Sequence, residues 1–353
     1  MIGIIGFANL DIMPYLRKYT DVLDENNINY DIVYWNRDGI LEKKDFNGNA
    51  ICYSYEMKTH QPFYKKIGGF VRYTNFIRKT IKKRKYDKLI LLTSQTAVPI
   101  SDILLCKKYS GKYVYDYRDI TKEKNKLYKR LVQKLICNSY FTGISSFGFK
   151  RVIGESDKFV KSHNCRKLAV LGSKSSKEEP INISFWGLVR SVSSNKRICD
   201  IFGNDSRFSL YYHGNGFYKE IQEYCKEKNY NNIHFSGRYS PDDVQKFADN
   251  ANIIHSIYDN GTVMRNAMPN KVYDAVRYAK PIMVAKNSYM AEFLDNYSFK
   301  FDFDIENTTS DDVYEWYNQL DCKTCSKEYM KLYECIKKDD DTFTKALMSF
   351  VTL

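Results

Sequence analysis

Short apolar runs alternate with amphipathic segments along the chain, and this alternation limits the possible folds more than any other feature. In the first half it predicts strands at residues 2–6, 30–35, 50–54, 88–93, 112–117 and 141–145. A second series predicts strands at residues 183–186, 209–213, 233–236, 253–257 and 282–285. Strands that alternate with helices form parallel sheets from βαβ units, so we predict an α/β protein.

Length and one polar segment indicate two domains. A chain of 353 residues is long enough for two domains of ordinary size, each with its own core. Residues 171–180 are polar, with GSKSSKEEP at residues 172–180, and they read as a linker. We therefore predict a first domain at residues 1–170, a second at residues 181–335, and a C-terminal helix at residues 336–353 with Phe343, Leu347 and Phe350 as its buried stripe. Within the first domain we also predict a helix at residues 99–109.

Charge is distributed unevenly between the two halves. Residues 1–165 contain 30 Lys and Arg against 16 Asp and Glu, whereas the rest of the chain contains 25 against 26. The whole positive excess therefore lies in the first half. Such an excess indicates a surface that meets an anionic partner, either nucleic acid or an acidic membrane leaflet.

Residues 62–85 combine aromatic and branched apolar side chains with clustered cations, including the run KKRK at residues 82–85. One interpretation is an interfacial helix, with basic side chains near anionic headgroups and rings at the lipid boundary. The other is a helix whose apolar face packs on the core and whose basic face is solvated. Gly68 and Gly69 weaken the helix prediction, because glycine has a low helix propensity. No recognisable nucleic-acid motif accompanies the charge, so we predict no nucleic-acid partner.

Hydropathy and cysteine usage predict the compartment. No run of about 18 apolar residues occurs, and the chain opens directly on a predicted strand rather than a signal peptide. Nine scattered cysteines suit a reducing environment. The only CxxC, Cys322 and Cys325, lacks a second pair or spaced histidines, so we predict no metal site. We expect a cytoplasmic protein, peripheral on the inner face of the plasma membrane.

One loop and one helix N-terminus are predicted at positions where α/β sheets bind ligands. Gly3 and Gly6 lack the GxGxxG spacing of dinucleotide sites, which argues against a nicotinamide cofactor. The loop at residues 6–11 nevertheless follows the first strand, where open α/β sheets bind ligands. The helix predicted at residues 271–278 begins at Asn270 and Lys271, and its N-terminus would attract phosphate. Asp274, one turn later, could accept hydrogen bonds from ribose hydroxyls.

Residues 266–285, NAMPNKVYDAVRYAKPIMVA, resemble the donor-binding core of the GT-B glycosyltransferases, particularly family 4 (group 1) of the bacterial capsule and exopolysaccharide type. Four residues match the usual pattern: Asp274, Ala275, Lys280 and Pro281. The family carries two glutamates eight positions apart, and here they are replaced by Asn266 and Asp274. The resemblance extends over roughly residues 110–300, where the order of weaker motifs also agrees.

The resemblance implies two facing Rossmann-like domains, with the C-terminal helix crossing back onto the first. The second domain would bind a UDP- or GDP-linked sugar as substrate, with no other cofactor, and the first would bind the acceptor. The implied donor-binding residues are Gly187, Arg190, His213, Gly214, Arg238, Tyr239, Asn266, Asn270, Lys271 and Asp274. Arg190 and Lys271 would stabilise the leaving diphosphate, and no metal would be required.

Asp119 and His163 are further catalytic candidates. Arg118 and Asp119 resemble the end of a family strand that faces the cleft, and His163 with Asn164 resembles the family's segment just before the interdomain linker. Asp119 follows Arg118 at the end of a predicted strand, and this pair could instead be a simple surface ion pair. His163 could instead be a hydrogen-bonded residue near the linker. We predict a glycosyltransferase that retains the anomeric configuration and acts on a saccharide or lipid-linked saccharide in cell-surface polysaccharide synthesis.

Two other functions stay open from the sequence. Asn266 in place of an acid favours a catalytically inert GT-B subunit that binds a glycan or a partner transferase, although Lys271 and Asp274 oppose this interpretation. A nucleotide-sugar epimerase has the same architecture and would be expected to carry more acids in its cleft. Neither the donor sugar, the nucleotide base nor the acceptor follows from the residues.

Overall fold

A computed structural model describes residues 1–40, 44–57, 63–173, 179–259 and 261–353. The chain divides into two compact units. The first unit comprises Met1–Arg166 and Lys338–Leu353, and the second comprises Lys167–Lys337. Each is built on a parallel sheet with helices, so the predicted α/β class is confirmed. The predicted linker at residues 171–180 lies partly outside the described residues.

The described part of the first unit contains a seven-stranded sheet in the order β3-β2-β1-β4-β5-β6-β7. All neighbouring strands are parallel. The strands are β1 (Ile2–Ile5), β2 (Tyr30–Asn36), β3 (Asn49–Ser54), β4 (Lys88–Leu92), β5 (Tyr113–Tyr117), β6 (Phe141–Ile144) and β7 (Phe159–Lys161). The strand order reverses between β1 and β4. The carboxyl ends of strands at such a reversal are the usual ligand position in open α/β sheets.

The helices of the first unit follow the predicted alternation. They are α1 (Arg17–Glu25), α2 (Phe63–Arg84), α3 (Ser94–Ala97), α4 (Ser101–Leu104), α5 (Lys126–Asn138) and α6 (Lys150–Ile153). The helix predicted at residues 99–109 is wrong in its second half, because α4 ends at Leu104. The chain turns there so that buried Tyr109 can donate its hydroxyl to the Tyr86 carbonyl oxygen at 2.9 Å.

Helix α2 buries part of its apolar stripe. Tyr73, Ile77 and Ile81 are at most 5% exposed, and the Tyr73 ring lies 5.1 Å from the ring of Trp35. Phe70 and Phe76 are half-buried and Ile67 is exposed, so contact of this helix with lipid stays a prediction. The helix runs through Gly68 and Gly69, and a Cβ on Gly69 would lie 3.0 Å from the Trp35 ring. The opposite face exposes basic side chains, including Lys79, Lys82 and Lys83.

The second unit contains, within its described residues, a six-stranded parallel sheet in the order β10-β9-β8-β11-β12-β13. The strands are β8 (Ile181–Trp186), β9 (Phe208–His213), β10 (Ile233–Gly237), β11 (Ile253–Ser256), β12 (Ile282–Ala285) and β13 (Lys300–Phe303). The helices are α7 (Val192–Phe202), α8 (Tyr218–Glu227), α9 (Val244–Asn250), α10 (Thr262–Asn266), α11 (Lys271–Tyr278), α12 (Tyr289–Phe293) and α13 (Ser310–Gln319). The order reverses between β8 and β11, which places the loop after β8 at the switch point.

The last helix, α14 (Cys322–Thr352), is longer than the segment predicted at residues 336–353. Its residues up to Lys337 belong to the second unit, and those from Lys338 belong to the first. Phe343, Leu347 and Phe350 form its buried stripe in the core of the first unit, as predicted. The Phe343 ring packs edge-on against Tyr19 of α1, with 5.3 Å between the ring centres.

Candidate functional site

Two glycine loops pack backbone against backbone at the carboxyl ends of β8 and β9. Gly187 has φ of +143° and Gly214 has φ of +144°, and a Cβ on Gly214 would lie 1.7 Å from the Gly187 carbonyl oxygen. The Gly187 amide donates to the His213 carbonyl oxygen at 2.9 Å, and the Val189 amide donates to that of Asn215 at 2.7 Å. Only glycine fits this arrangement, because any side chain would separate the two loops.

A pocket of about 260 Å³ opens beside these loops. Its lining comes from the ends of three adjacent strands: Gly187, Leu188, Gly214, Asn215, Arg238 and Tyr239. The structure therefore brings together four of the predicted donor-binding residues. Bare backbone on one side and an exposed Arg238 guanidinium on the other give the pocket both polar donors and positive charge.

His213 supports this pocket from below instead of lining it. The side chain is 9% exposed, its Nδ1 lies 2.8 Å from Ser236 Oγ, and its ring stacks on Phe247 with 3.7 Å between the centres. Burial lowers the pKa of His213 to about 4, so the imidazole is neutral at physiological pH. Phe247 in turn contacts the Tyr239 ring at 5.4 Å. The predicted ligand residue thus positions the pocket wall through aromatic packing.

The start of α11 holds the second part of the site. Lys271 is 7% exposed, and its ammonium lies 3.0 Å from Asp274 Oδ2. The same oxygen accepts a 2.8 Å hydrogen bond from the indole of Trp186, whose ring lies 5.1 Å from the ammonium. Burial lowers the pKa of Lys271, and Asp274 opposes that shift by stabilising the charged form. The two predicted residues are therefore directly paired, as their spacing of three on one helix face allows.

Chain connectivity places this pair beside the pocket, because Trp186, which donates to Asp274, directly precedes the lining residue Gly187. Burial raises the pKa of Tyr239, which lines the pocket, and the charge of Asp274 raises it further. Burial also raises the pKa of Tyr258, while Ser256 and Arg190 oppose the shift and Asp274 adds to it. Arg190 is exposed, so its guanidinium is open to a ligand. The pocket, Arg190 and the Lys271–Asp274 pair thus form one neighbourhood.

The two predicted asparagines have different positions. Asn266 is 5% exposed at the end of α10, and its amide nitrogen donates to the Thr262 carbonyl oxygen at 2.7 Å. Asn270 is exposed at the start of α11 and its side chain makes no capping hydrogen bond there. Asn266 therefore stabilises its own helix, whereas Asn270 is open to a ligand at the position where we predicted phosphate.

Sequence reasoning missed the buried ring layer behind this site. The His255 imidazole lies 5.0 Å from the Phe185 ring and 5.4 Å from the Tyr212 ring, and neither ring nitrogen has a hydrogen-bond partner among the described residues. Burial and then Lys271 lower the pKa of His255 to about 3. Trp186 was also missed, although a tryptophan directly before Gly187 at a strand end could have indicated a side chain that reaches the loop.

The candidates in the first unit are linked through Arg118, which precedes Asp119 and donates to Ser162 and Asn164 on either side of His163. Arg118 is buried, with Nε 2.9 Å from the Asp116 carboxylate and Nη1 2.8 Å from the Ser162 carbonyl oxygen. The interpretation of Arg118 and Asp119 as a surface ion pair is therefore wrong, because Arg118 pairs with Asp116 inside the unit. Asp119 is exposed. Its catalytic role stays a prediction.

His163 lies in the same unit with no exposed surface. Its Nε2 is 2.9 Å from Asp339 Oδ2 on α14. Burial lowers the pKa of His163, and the hydrogen bond to Asp339 opposes the shift. A side chain without exposed surface does not contact substrate, so the structure supports the alternative interpretation of a hydrogen-bonded residue.

Metal-binding and membrane-spanning features were also assessed over the five described ranges. No group of three or more His, Cys, Asp or Glu side chains there could hold a metal ion. No helix in those ranges is long and apolar enough to cross a membrane. Cys322 is exposed and Cys325 is buried.

No protein-family model matches the sequence, and no curated protein is significantly similar to it. Solved structures nevertheless match it over nearly its whole length. A sucrose-phosphate synthase from Thermosynechococcus elongatus is 10% identical with a TM-score of 0.65, covering 99% of this chain and 94% of that one. An alpha,alpha-trehalose-phosphate synthase (UDP-forming) from Burkholderia vietnamiensis is 10% identical with a TM-score of 0.65, covering 99% of this chain and 100% of that one.

A putative UDP-N-acetylglucosamine 2-epimerase from Listeria monocytogenes is also similar, at 10% identity and a TM-score of 0.55. That match covers 93% of this chain and 90% of the epimerase. Identities this low establish the fold alone, while family 4 and the capsule type stay predictions. The chain therefore has the GT-B fold, as its resemblance to those glycosyltransferases implied.

Proposed function

We propose that this protein is a glycosyltransferase that binds a nucleotide-sugar donor in its second unit and a saccharide or lipid-linked acceptor in its first. The observation that carries the proposal is the neighbourhood formed by the glycine-loop pocket and the buried Lys271–Asp274 pair. Exposed backbone and cations at a parallel sheet's carboxyl edge suit a nucleoside diphosphate. The fold shared with two sugar-phosphate synthases supports the same function.

Each part of the donor has a matching group. The diphosphate would bind at the bare backbone of Gly187 and Gly214 and near the start of α11, where Arg190 and Lys271 supply positive charge. The base would lie against Arg238 and Tyr239 in the pocket. Asp274 would accept hydrogen bonds from the ribose hydroxyls with the carboxylate oxygen that does not hold Lys271 and Trp186.

In the transfer step, the bond between the anomeric carbon and the diphosphate oxygen breaks, and its electron pair stays on the diphosphate. An acceptor hydroxyl oxygen forms the new bond to the anomeric carbon and releases its proton to the leaving group or solvent. Lys271 and Arg190 would stabilise the growing negative charge, which lowers the barrier without a metal. Retention of configuration follows from the resemblance to family 4, and we propose it on that ground.

We also propose that the protein acts in the cytoplasm, at the inner face of the plasma membrane, in the synthesis of a capsule or another cell-surface polysaccharide. The exposed basic face of α2, with Lys79, Lys82 and Lys83, supports contact with an anionic leaflet. Because Tyr73, Ile77 and Ile81 of this helix are buried, the contact would rest mainly on these charges and would weaken with salt.

An epimerase is the second candidate, since one similar solved structure is a putative UDP-N-acetylglucosamine 2-epimerase. The two activities differ in their need for an acceptor. An epimerase converts the nucleotide sugar alone, whereas a transferase releases nucleoside diphosphate and requires an acceptor hydroxyl. Product analysis with and without a saccharide acceptor therefore separates them, and nucleotide binding without turnover would indicate an inert subunit.

Thermal-shift screening of UDP, GDP and their sugar derivatives tests the donor site first. A ligand that binds only the folded state stabilises it by about 2.7 kcal/mol at a concentration of 100 Kd, which raises the melting temperature by a few degrees. We expect one nucleotide series to stabilise the protein. No shift with any nucleoside diphosphate or nucleotide sugar would contradict the proposal.

Calorimetry on Lys271→Ala then locates the site. A charge-assisted hydrogen bond is worth about 1.5–3 kcal/mol, so nucleoside diphosphate binding should weaken about tenfold to a hundredfold. Transfer should fall further, because leaving-group charge grows toward the transition state. Lys226→Ala on the exposed face of α8 is the matched control and should leave affinity unchanged.

Asp274→Asn separates ribose recognition from phosphate recognition. The amide keeps the shape but accepts more weakly, so UDP or GDP binding should fall while inorganic pyrophosphate still competes. Loss of pyrophosphate binding as well would mean that Asp274 acts mainly by positioning Lys271. Unchanged nucleotide binding in both Lys271→Ala and Asp274→Asn would remove the site from this helix.

A further inference from the structure

Aromatic rings and two arginines form a cluster in the first unit at the carboxyl ends of β1 to β3. Arg37 follows β2, and its guanidinium carbon lies 5.5 Å from the Phe7 ring centre and 5.3 Å from that of Trp35. Arg72 on α2 lies 5.3 Å above the Tyr55 ring. We call this the aromatic–arginine cluster: Phe7, Trp35, Arg37, Tyr55, Phe70 and Arg72.

The cluster is held in place by hydrogen bonds and ring contacts. Asn9 joins the loops after β1 and β2, since its Oδ1 accepts from the Arg37 amide and its Nδ2 donates to Asn36 Oδ1, both at 3.0 Å. Phe7 stacks on Phe70 with 5.0 Å between the centres and 8° between the planes. The indole of Trp35 donates to the Tyr55 carbonyl oxygen at 2.8 Å. The arginines are therefore presented by a rigid surface.

Neither arginine of this cluster forms an ion pair with an acidic side chain in the described part of the chain. Arg37 is half-buried between the two rings, and burial lowers its pKa, opposed only by the charge of exposed Asp38. Arg72 is exposed and contacts a ring rather than a carboxylate. A partly desolvated guanidinium without an acid gains more from an anionic ligand than a fully solvated one does.

The position of the cluster adds a second argument. β1 lies beside the reversal of strand order in the first sheet, so the loop that carries Phe7 is at the switch point where such sheets bind ligands. Ring faces offer apolar contact to the C–H face of a sugar, and a guanidinium binds carboxylate or phosphate bidentately. The combination suits a sugar that carries negative charge.

We infer that the aromatic–arginine cluster binds the acceptor and that this acceptor is an anionic saccharide. This inference rests on the proposed glycosyltransferase function. The acceptor's anionic group, a carboxylate or a phosphate, would pair with Arg37 and Arg72 while its sugar ring lies against the half-buried rings. This assignment names the substrate class that the first unit selects. It also predicts that neutral sugars are poor acceptors.

The test compares three probes with saturating UDP present, so that the donor site is filled: methyl glucoside, methyl glucuronide and glucose 6-phosphate. Binding is measured by saturation-transfer NMR and calorimetry. We expect at least one charged sugar to bind about tenfold or more tightly than the neutral one, as one charge-assisted hydrogen bond predicts. Which charged probe binds more tightly distinguishes a carboxylate from a phosphate acceptor.

Arg37→Gln should abolish the preference for charged sugars, and Arg72→Gln should reduce it. Because Arg72 is exposed, its variant is safe from misfolding, and an unchanged urea unfolding transition verifies the fold of Arg37→Gln. Arg130→Gln, an exposed arginine of α5 that contacts no ring, is the matched control and should keep the preference. A general loss of positive charge would affect all three variants equally.

Equal affinity for charged and neutral sugars, no measurable binding of either charged sugar at millimolar concentration, or a preference that survives both Arg37→Gln and Arg72→Gln would overturn the inference. The failure of the proposed function looks different. In that case no nucleoside diphosphate binds the second unit, whereas here UDP binding is intact and only the discrimination between acceptors is missing.

Discussion

Buried cations occur near strand ends in both units, but their surroundings differ. In the first unit, Arg118 uses all three of its guanidinium nitrogens on Asp116, Ser162 and Asn164. In the second unit, Lys271 has one acidic partner in the described part of the chain, Asp274, and otherwise faces aromatic rings.

This difference distinguishes a buried cation that stabilises the fold from one that can also bind a ligand. Four of the five N–H donors of buried Arg118 are paired, which leaves little capacity for a ligand, and removal of this cation leaves an uncompensated acid. A buried ammonium has three donors, so a single acidic partner leaves capacity for a phosphate. The adjacent glycine loops add backbone donors only in the second unit. The comparison predicts large stability effects in the first unit and binding effects in the second.

Arg118→Met should have the largest effect on stability. Removing one partner of a buried ion pair costs about 3–5 kcal/mol, because Asp116 stays in the core without its counter-charge. Urea unfolding measures the loss, while nucleotide affinity of the folded fraction should be unchanged. Arg130→Met, at an exposed position, should stay within about 0.5 kcal/mol of the wild type. A loss below about 1 kcal/mol for Arg118→Met would break the comparison.

Gly214→Ala should have the second-largest effect on stability. Its Cβ would lie 1.7 Å from the Gly187 carbonyl oxygen at a positive φ, so the loops must separate at a cost of about 2–4 kcal/mol. Nucleotide binding should be lost with it, measured by calorimetry. Gly68→Ala in α2 is the control, since nothing lies within 4 Å of its Cβ and helix propensity should stabilise it by about 1 kcal/mol. Retained binding in Gly214→Ala would show that the loops do not form the site.

The pH dependence of stability tests the same difference between the units through His255. In the folded second unit, burial and then Lys271 lower the pKa of His255 from 6.5 to about 3. His163 of the first unit, by contrast, has Asp339 as a hydrogen-bond partner. Between those pH values the unfolded chain binds a proton that the folded chain does not, so stability falls as pH drops below about 6.5. From about pH 8 to about pH 5 the loss is about 2 kcal/mol. His255→Phe should lose about that much less over the same range, measured by urea unfolding. Identical pH dependence would mean that His255 is protonated in the folded state.

Exposed cations should have the smallest effect on stability. Lys82→Glu with Lys83→Glu on the solvated face of α2 should change the unfolding free energy by no more than about 0.5 kcal/mol. Binding to anionic vesicles should nevertheless fall and should weaken with salt, since each cation near the surface contributes about 1 kcal/mol. Flotation with anionic and neutral vesicles measures it. Equal binding to both vesicle types, or to neither, would remove the membrane proposal.

Much of the fold followed from local pattern. The alternation of apolar strands and amphipathic helices predicted both sheets except their edge strands β7 and β13, because side-chain periodicity is a property of each segment and needs no distant partner. The buried stripe of Phe343, Leu347 and Phe350 was likewise visible as helical spacing. Helix α4 was the exception, because the contact of Tyr109 with Tyr86 ends the helix early and no local signal marks it.

The sequence indicated which residues form the candidate site but not how they are arranged. Their order along the chain pointed to Gly187, Gly214, Arg238, Tyr239, Lys271 and Asp274, since parallel strands deliver successive loops to one sheet edge. Which of them pair, and which are left open, required the packed structure. The Lys271–Asp274 pair lies within one turn of α11, but the hydrogen bond from Trp186 to Asp274 and the burial of His163 beneath α14 join segments far apart in the chain. Periodicity and spacing describe single segments, whereas burial and charge pairing depend on contacts between segments far apart in the chain.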